Sequence, residues 1–213
     1  HSFWDTSNPG TTTGLGAVVN INPTQGNSTV VHTPGGKSAE LKSQFKVKFA
    51  AASLYTGSFG SLVGMNGAKI KFGRSFASRP FALHGFFQYA PVAVTHIGDN
   101  QPAGTLSKGD MDVCSIYIAL AKESYTVDNT KAETFIQFKT DNNIIAYGEL
   151  PLKECVSTNG TWKEFTIDLE YKTLEKPNDM YLIVVASASK YGDYFTGGDG
   201  SILYVDDFEL IYD

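Results

Sequence analysis

Along most of this chain apolar residues recur at every second position rather than every third or fourth, in short runs closed by Gly, Pro, Asn or Asp. That spacing predicts strands at 37–49, 67–73, 81–92, 112–120, 133–140, 161–171, 180–189 and 201–212. The run at 161–171 alternates cleanly: Phe165, Ile167, Leu169 and Tyr171 fall on one side, Glu164, Thr166, Asp168 and Glu170 on the other. The run at 181–187 is different. Tyr181, Ile183 and Val185, with their neighbours Leu182 and Val184, make both of its sides apolar, as in a central strand covered on each face. The single helical candidate, 61–67, is short and broken by glycine. One-sided and two-sided strands together predict an all-β fold, a two-sheet antiparallel β-sandwich of about eight to ten strands.

The closing run breaks the alternation. Leu203 and Val205 share one side of the strand, whereas Phe208 and Leu210 fall on the other, with Asp206 and Asp207 between them. A continuous apolar face therefore requires a one-residue shift, which a β-bulge at Asp206 and Asp207 supplies. If both acids then approach the start of the chain, where Asp5 and Asn8 stand, their oxygens could surround a calcium ion. The residues alone favour a plainer arrangement, with one aspartate solvated and the other accepting backbone N–H groups. Two long loops, 22–36 and 90–110, are expected to act as lids of a groove. No interdomain linker, internal repeat or low-complexity tract interrupts the chain.

Composition narrows the function classes. The 213 residues can bury roughly 70% of their unfolded surface in one domain. With 22 acidic against 17 basic residues and no Lys/Arg cluster, nucleic acid and an anionic membrane surface are excluded as expected partners. The longest apolar run, 181–188, is far shorter than the ~20 residues that span a bilayer. Cys114 and Cys155 match no metal or redox spacing and read as two free thiols rather than a disulfide. A chain that starts at His1 reads as processed or trimmed.

Candidate chemistry concentrates in two stretches. Residues 69–91 hold Arg74 and Arg79 ahead of a strand whose one side carries Gly85, Phe87 and Tyr89. An arginine fork can clamp sugar hydroxyls while a ring stacks on the apolar face of a pyranose, although an arginine beside a strand more often ties elements together. Residues 187–201 present Tyr191, Asp193, Tyr194 and Phe195 on a glycine-rich loop, again rings beside an acid. No serine-nucleophile elbow, phosphate loop or dinucleotide fingerprint is present, and His1, His32, His84 and His96 are scattered. Glycoside hydrolysis needs two carboxylates about 5 to 10 Å apart. Asp110, Asp112, Glu149 and Asp193 are all eligible, and spacing selects no pair.

The blocks "FWDTSNPG", "SLYTGSF", "FGRSFASRPFALHGFFQYAP", "DMDVCSIYIAL" and "SASKYGDYFTGGDGSILYVDDFELIYD" run from about Trp4 to Tyr212. In order and spacing they resemble the putative carbohydrate metabolism domain family of Bacteroidetes. The resemblance implies a galactose-binding or carbohydrate-binding-module-like jelly roll, here one domain over 1–213, and the C-terminal domain of a longer secreted protein. It further implies an upstream immunoglobulin-like domain and an extracytoplasmic place, on a surface lipoprotein or in the periplasm. It makes Asp5 and Asp207 the favoured ligands of a structural calcium, with no organic cofactor.

The function expected on this basis is non-catalytic glycan binding. Trp4, Tyr89, Tyr191 and Tyr194 are the stacking candidates, and Arg79 and Asp193 the polar anchors. A glycoside hydrolase drawing a pair from Asp112, Glu149 and Asp193 is the alternative, although the Glu-x-Asp-x-Glu strand of jelly-roll glucanases is missing. A protein-binding adhesion module is the third reading.

Overall fold

The computed structural model describes residues 3–14, 17, 19–102, 104–174, 177 and 179–212. His1, Ala103 of the 90–110 loop and Asp213 therefore lie outside the described residues. The alternating runs form β1 (Trp4–Thr6), β2 (Thr24–Asn27), β3 (Ser38–Lys42), β4 (Gln44–Phe45), β5 (Phe49–Ala50), β6 (Ser53–Val63), β7 (Gly67–Phe72) and β8 (Arg74–Phe76). They continue as β9 (Ala82–Ala90), β10 (Ser115–Ala121), β11 (Tyr125–Asp128), β12 (Ile144–Glu149), β13 (Lys163–Asp168), β14 (Glu170–Tyr171), β15 (Met180–Ser187) and β16 (Ile202–Ile211). A four-residue helix, α1 (Pro9–Thr12), follows β1.

A nine-stranded sheet runs in the order β11-β7-β6-β15-β10-β12-β14, with β1 also on β6 and β8 also on β15. A five-stranded sheet, β13-β9-β16-β3-β2, packs across it, and β4 and β5 make a small hairpin of their own. The described pairings are antiparallel, so this is the expected two-sheet β-sandwich of jelly-roll type.

The main core fills the space between the sheets. Leu41, Leu83, Phe87, Leu203 and Val205 of the smaller sheet meet Ile116, Ile118, Leu120, Leu182 and Val184 of the larger one. A second apolar cluster lies on the outer face of the larger sheet, around Tyr55, Ile70, Phe72, Ile183 and Val185. β15 is therefore covered on both sides, as its two-sided run of apolar residues requires.

The bulge forms where the interrupted alternation puts it. The β16–β9 register slips between Asp206 and Glu209, and Asp207 takes a left-handed φ of 51°. Phe208 and Leu210 are thereby returned to the main core. Gly85, opposite the bulge, supplies the room: a Cβ there would stand 2.6 Å from the Phe208 ring.

The bulge also turns both aspartates toward residues 28–34, a strap laid across the outer face of the smaller sheet. Asp206 accepts the His32 N–H at 2.9 Å. Asp207 accepts the Thr33 hydroxyl at 2.6 Å and lies 2.7 Å from His32 Nδ1. The His32 ring stacks on Phe86 at 3.5 Å, and the Trp162 indole N–H donates to the Val31 carbonyl at 3.1 Å.

Three sequence expectations are corrected. Residues 61–67 are the end of β6 and a hairpin turn rather than a helix, since Gly64 takes a positive φ and Asn66 N–H closes the turn on the Val63 carbonyl. Residues 133–140 are a short 3-10 turn and further turns rather than a strand. Their backbone–backbone hydrogen bonds are local, and Phe135, Ile136 and Phe138 pack down onto the outer cluster instead of pairing edge-on. The long loops are not the expected lids: 22–36 supplies β2 and the strap, while 90–110 is tied to the 192–199 region through a His96–Gly197 bridge.

Candidate functional site

A cleft of about 300 Å³ opens on the outer face of the nine-stranded sheet. Strand alternation places Tyr55, Phe59, Ile70, Phe72, Val185 and Tyr117 on its floor. Its walls are α1, residues 47–51 and the turn at 192–195. Gly192 lets the last two touch, because a Cβ there would lie 2.1 Å from that of Ala51. Register sets the rows on the floor. Tyr55, Val185, Tyr117 and Glu149 are neighbours across β6, β15, β10 and β12, and Ser53, Ser187 and Ser115 form the next row.

Polar groups gather toward β10 and β12. Lys190 donates to Glu149 at 2.9 Å, and Lys139 stands 3.9 Å from the other carboxylate oxygen. Enclosure pushes the Glu149 carboxyl up, but the Lys190 ammonium outweighs it and holds the group below the usual carboxylate range. Asp193 behaves in the opposite way. Its side chain is open to solvent, yet the cleft walls displace much of the surrounding water and push its pKa up to about 6. Burial first, and then the facing acids Asp193 and Glu149 with Tyr147, raise the Tyr117 phenol, so it stays protonated. No described residue hydrogen-bonds the Asp193 carboxylate or the Tyr117 hydroxyl. Rings crowd the far side: Phe138 stacks on Tyr147 at 4.7 Å and tilts against Tyr117 at 5.0 Å.

Of the residues singled out in the sequence, Asp193 lines the cleft and Glu149 stands beside it through Lys190. Asp112 does not join them. It is buried, and its carboxylate accepts from the Ser189 hydroxyl at 2.7 Å, Gly198 N–H at 2.8 Å and Val113 N–H at 2.9 Å, which makes it a brace for the 192–199 region. Tyr89 is 1% exposed with its hydroxyl on the Ala188 carbonyl at 2.8 Å, so it cannot meet a sugar. Trp4 faces the main core, 6.2 Å from the Phe208 ring. Arg79 donates to the Thr173 carbonyl at 2.9 Å and lies 4.1 Å over the Tyr171 ring, while Arg74 reaches the Phe3 carbonyl. Both arginines tie segments together. Tyr194 packs edge-on against Phe135 at 4.8 Å, and the Tyr191 carbonyl closes the turn below it.

Nor are Asp5 and Asp207 brought together. Trp4 and Phe208 point at one another between the sheets, so their neighbours point outward on opposite faces of the sandwich. Asp5 accepts the Phe59 and Thr6 N–H groups, and Asp207 holds the strap. Among the described residues no group of three or more His, Cys, Asp or Glu side chains could hold a metal. Both cysteines are buried free thiols.

Sequence reasoning missed Tyr117, Lys190, Phe59 and the apolar residues of the β6–β7 hairpin. The alternation within 53–63, "SLYTGSFGSLV", is the signal that places Tyr55 and Phe59 on one face.

Residues 1–211 match the sequence profile of the family described as putative carbohydrate metabolism domain. The chain belongs to that family. No curated protein matches it significantly. Among solved structures, a putative glycoside hydrolase from Bacteroides thetaiotaomicron is 23% identical with a TM-score of 0.76, over 99% of this chain and 63% of that one. A putative glycoside hydrolase from Bacteroides vulgatus is 22% identical with a TM-score of 0.70, over 98% of this chain and 85% of that one. At these identities the likeness is one of fold, and this chain spans under two thirds of the first of the two. Family membership makes this a carbohydrate-related domain, with the outer-face cleft as its candidate site.

Proposed function

We propose that the domain binds a saccharide in the outer-face cleft, outside the cytoplasm. One observation carries the reading: the unpartnered Asp193 carboxylate and Tyr117 hydroxyl stand beside aromatic and aliphatic walls in one cleft. A pyranose offers the complement, hydroxyls for the polar pair and an apolar ring face for Phe59 or Tyr117. Asp193→Asn and Tyr117→Phe, tested for retention on a glycan array, should each lower affinity about tenfold. Unchanged retention in both would remove the cleft from consideration.

A hydrolytic reading is favoured by the contrast between Asp193, raised to about 6, and Glu149, held low by Lys190. Environments that drive two carboxyls apart assign a proton donor and a charged partner. If the cleft is hydrolytic, wild-type protein releases reducing ends from a polysaccharide panel. Asp193→Asn and Glu149→Gln should then each lower that rate by about a hundredfold or more. Binding without release leaves a pure binding module.

A further inference from the structure

The cleft is divided. Toward β10 its polar side chains are open, whereas toward the β6–β7 hairpin it is walled by Leu62, Met65, Ala68, Ile70, Val47 and Phe49. Most of the polar groups at this second end are already engaged. Asn129 Oδ1 accepts the Ala68 N–H at 2.8 Å, the Thr11 hydroxyl lies within hydrogen-bond distance of the Asn8 and Ile21 carbonyls, and Ser7 pairs with Ser53 at 2.8 Å. A bare sugar placed here would lose water from its hydroxyls and find few replacement partners, which is costly. An aliphatic chain or aromatic ring loses nothing polar and gains the apolar contact.

The mouth is shaped to suit. Lys48 reaches from the β4–β5 turn to donate to the Asn66 carbonyl of the β6–β7 turn, with its ammonium 3.6 Å over the Phe195 ring. Its tetramethylene stem adds apolar surface to the cleft lining beside Val47 and Phe49, while Asp193 remains open.

Building on the saccharide reading, we infer that the ligand is a saccharide bearing an apolar substituent, an acyl or aryl group. The sugar lies by Tyr117 and Asp193, and the substituent lies between Leu62, Met65 and Ile70. The two halves of the cleft read the two halves of one amphipathic molecule.

Calorimetric titration of the whole chain tests this with methyl, n-octyl and p-nitrophenyl glycosides of glucose, galactose, mannose and xylose, and with octyl tetraethylene glycol, all below micelle formation. At least one octyl or p-nitrophenyl glycoside should bind about tenfold or more tighter than its methyl counterpart. The stronger of the two arms tells whether the apolar half takes an aliphatic chain, such as an acyl group carries, or an aryl ring. Leu62→Ser with Met65→Ser, both on accessible positions of the hairpin, should lower the affinity for the substituted glycoside far more than that for its methyl counterpart and so abolish the gain. Equal affinity for methyl and substituted glycosides overturns the inference and leaves saccharide binding standing. Octyl tetraethylene glycol binding as tightly as the octyl glycosides, or no binding in any arm, overturns both.

Discussion

The two outer faces of the sandwich carry the same ingredients, aromatic rings beside aspartates, and use them in opposite ways. On the smaller sheet, Phe86 is covered by the His32 ring, the Trp162 N–H is engaged by Val31, and Asp206 and Asp207 are committed to the strap. On the larger sheet, Asp193 and Tyr117 remain without such partners in an open cleft. Rings next to acids therefore do not mark a binding surface by themselves. What distinguishes the cleft is polar groups without protein partners beside apolar walls, which a ligand can engage.

The largest expected effect comes from Asp112, which braces the region carrying Asp193. Asp112→Ala leaves the Ser189 hydroxyl and the Gly198 and Val113 N–H groups without their acceptor in a buried place. We expect a loss of about 3 kcal/mol in urea unfolding, together with lost ligand retention. Asp193→Asn, five residues before Gly198, should lose retention without loss of stability at neutral pH. If Asp112→Ala is nearly as stable as wild type, the 192–199 region is held by something else and the assignment of Asp112 as a brace fails.

A smaller effect is expected on the opposite face. Asp207→Ala removes the acceptor of the Thr33 hydroxyl and the neighbour of His32 Nδ1. Both groups are partly exposed, so the cost should be about 1 kcal/mol or less. Amide exchange over 28–34 should quicken while ligand retention stays as in wild type. A fall in retention would show that the two faces are coupled rather than independent.

Much of this was legible in the sequence, and the remainder has identifiable causes. The interrupted alternation around Asp206 and Asp207 located the bulge, because a buried face tolerates no register slip. The partner of those acids was not legible. His32 lies 174 residues away from Asp206 in sequence, and only the folded sheet brings them together. Residues 133–140 misled because apolar alternation reports burial rather than pairing, and Phe135 and Phe138 are partly buried by lying on a sheet. Tyr89 and Asp193 looked equally suitable for a sugar. Their difference is strand side: Tyr89 faces inward on β9, whereas Asp193 follows the end of β15 where the chain leaves the core.

The finest test of the contrast is the direction of two pH dependences. Asp193 has a folded pKa of about 6 against a reference of 3.8, so between those values the folded state holds more proton than the unfolded one. Stability from this group is therefore present at low pH and is lost as pH rises through about 6. Asp207 is shifted down, chiefly by the Thr33 and His32 hydrogen bonds, so its contribution is present above pH 3.8 and is lost as pH falls through its folded pKa. Solvent screens both carboxyls, and the slopes will be shallow. Denaturant midpoints of Asp193→Asn and Asp207→Asn, each subtracted from wild type across pH 3 to 8, should give differences of opposite slope. Two slopes of the same sign would mean that both aspartates are held alike, and the open cleft would lose its claim to be the face that waits for a ligand.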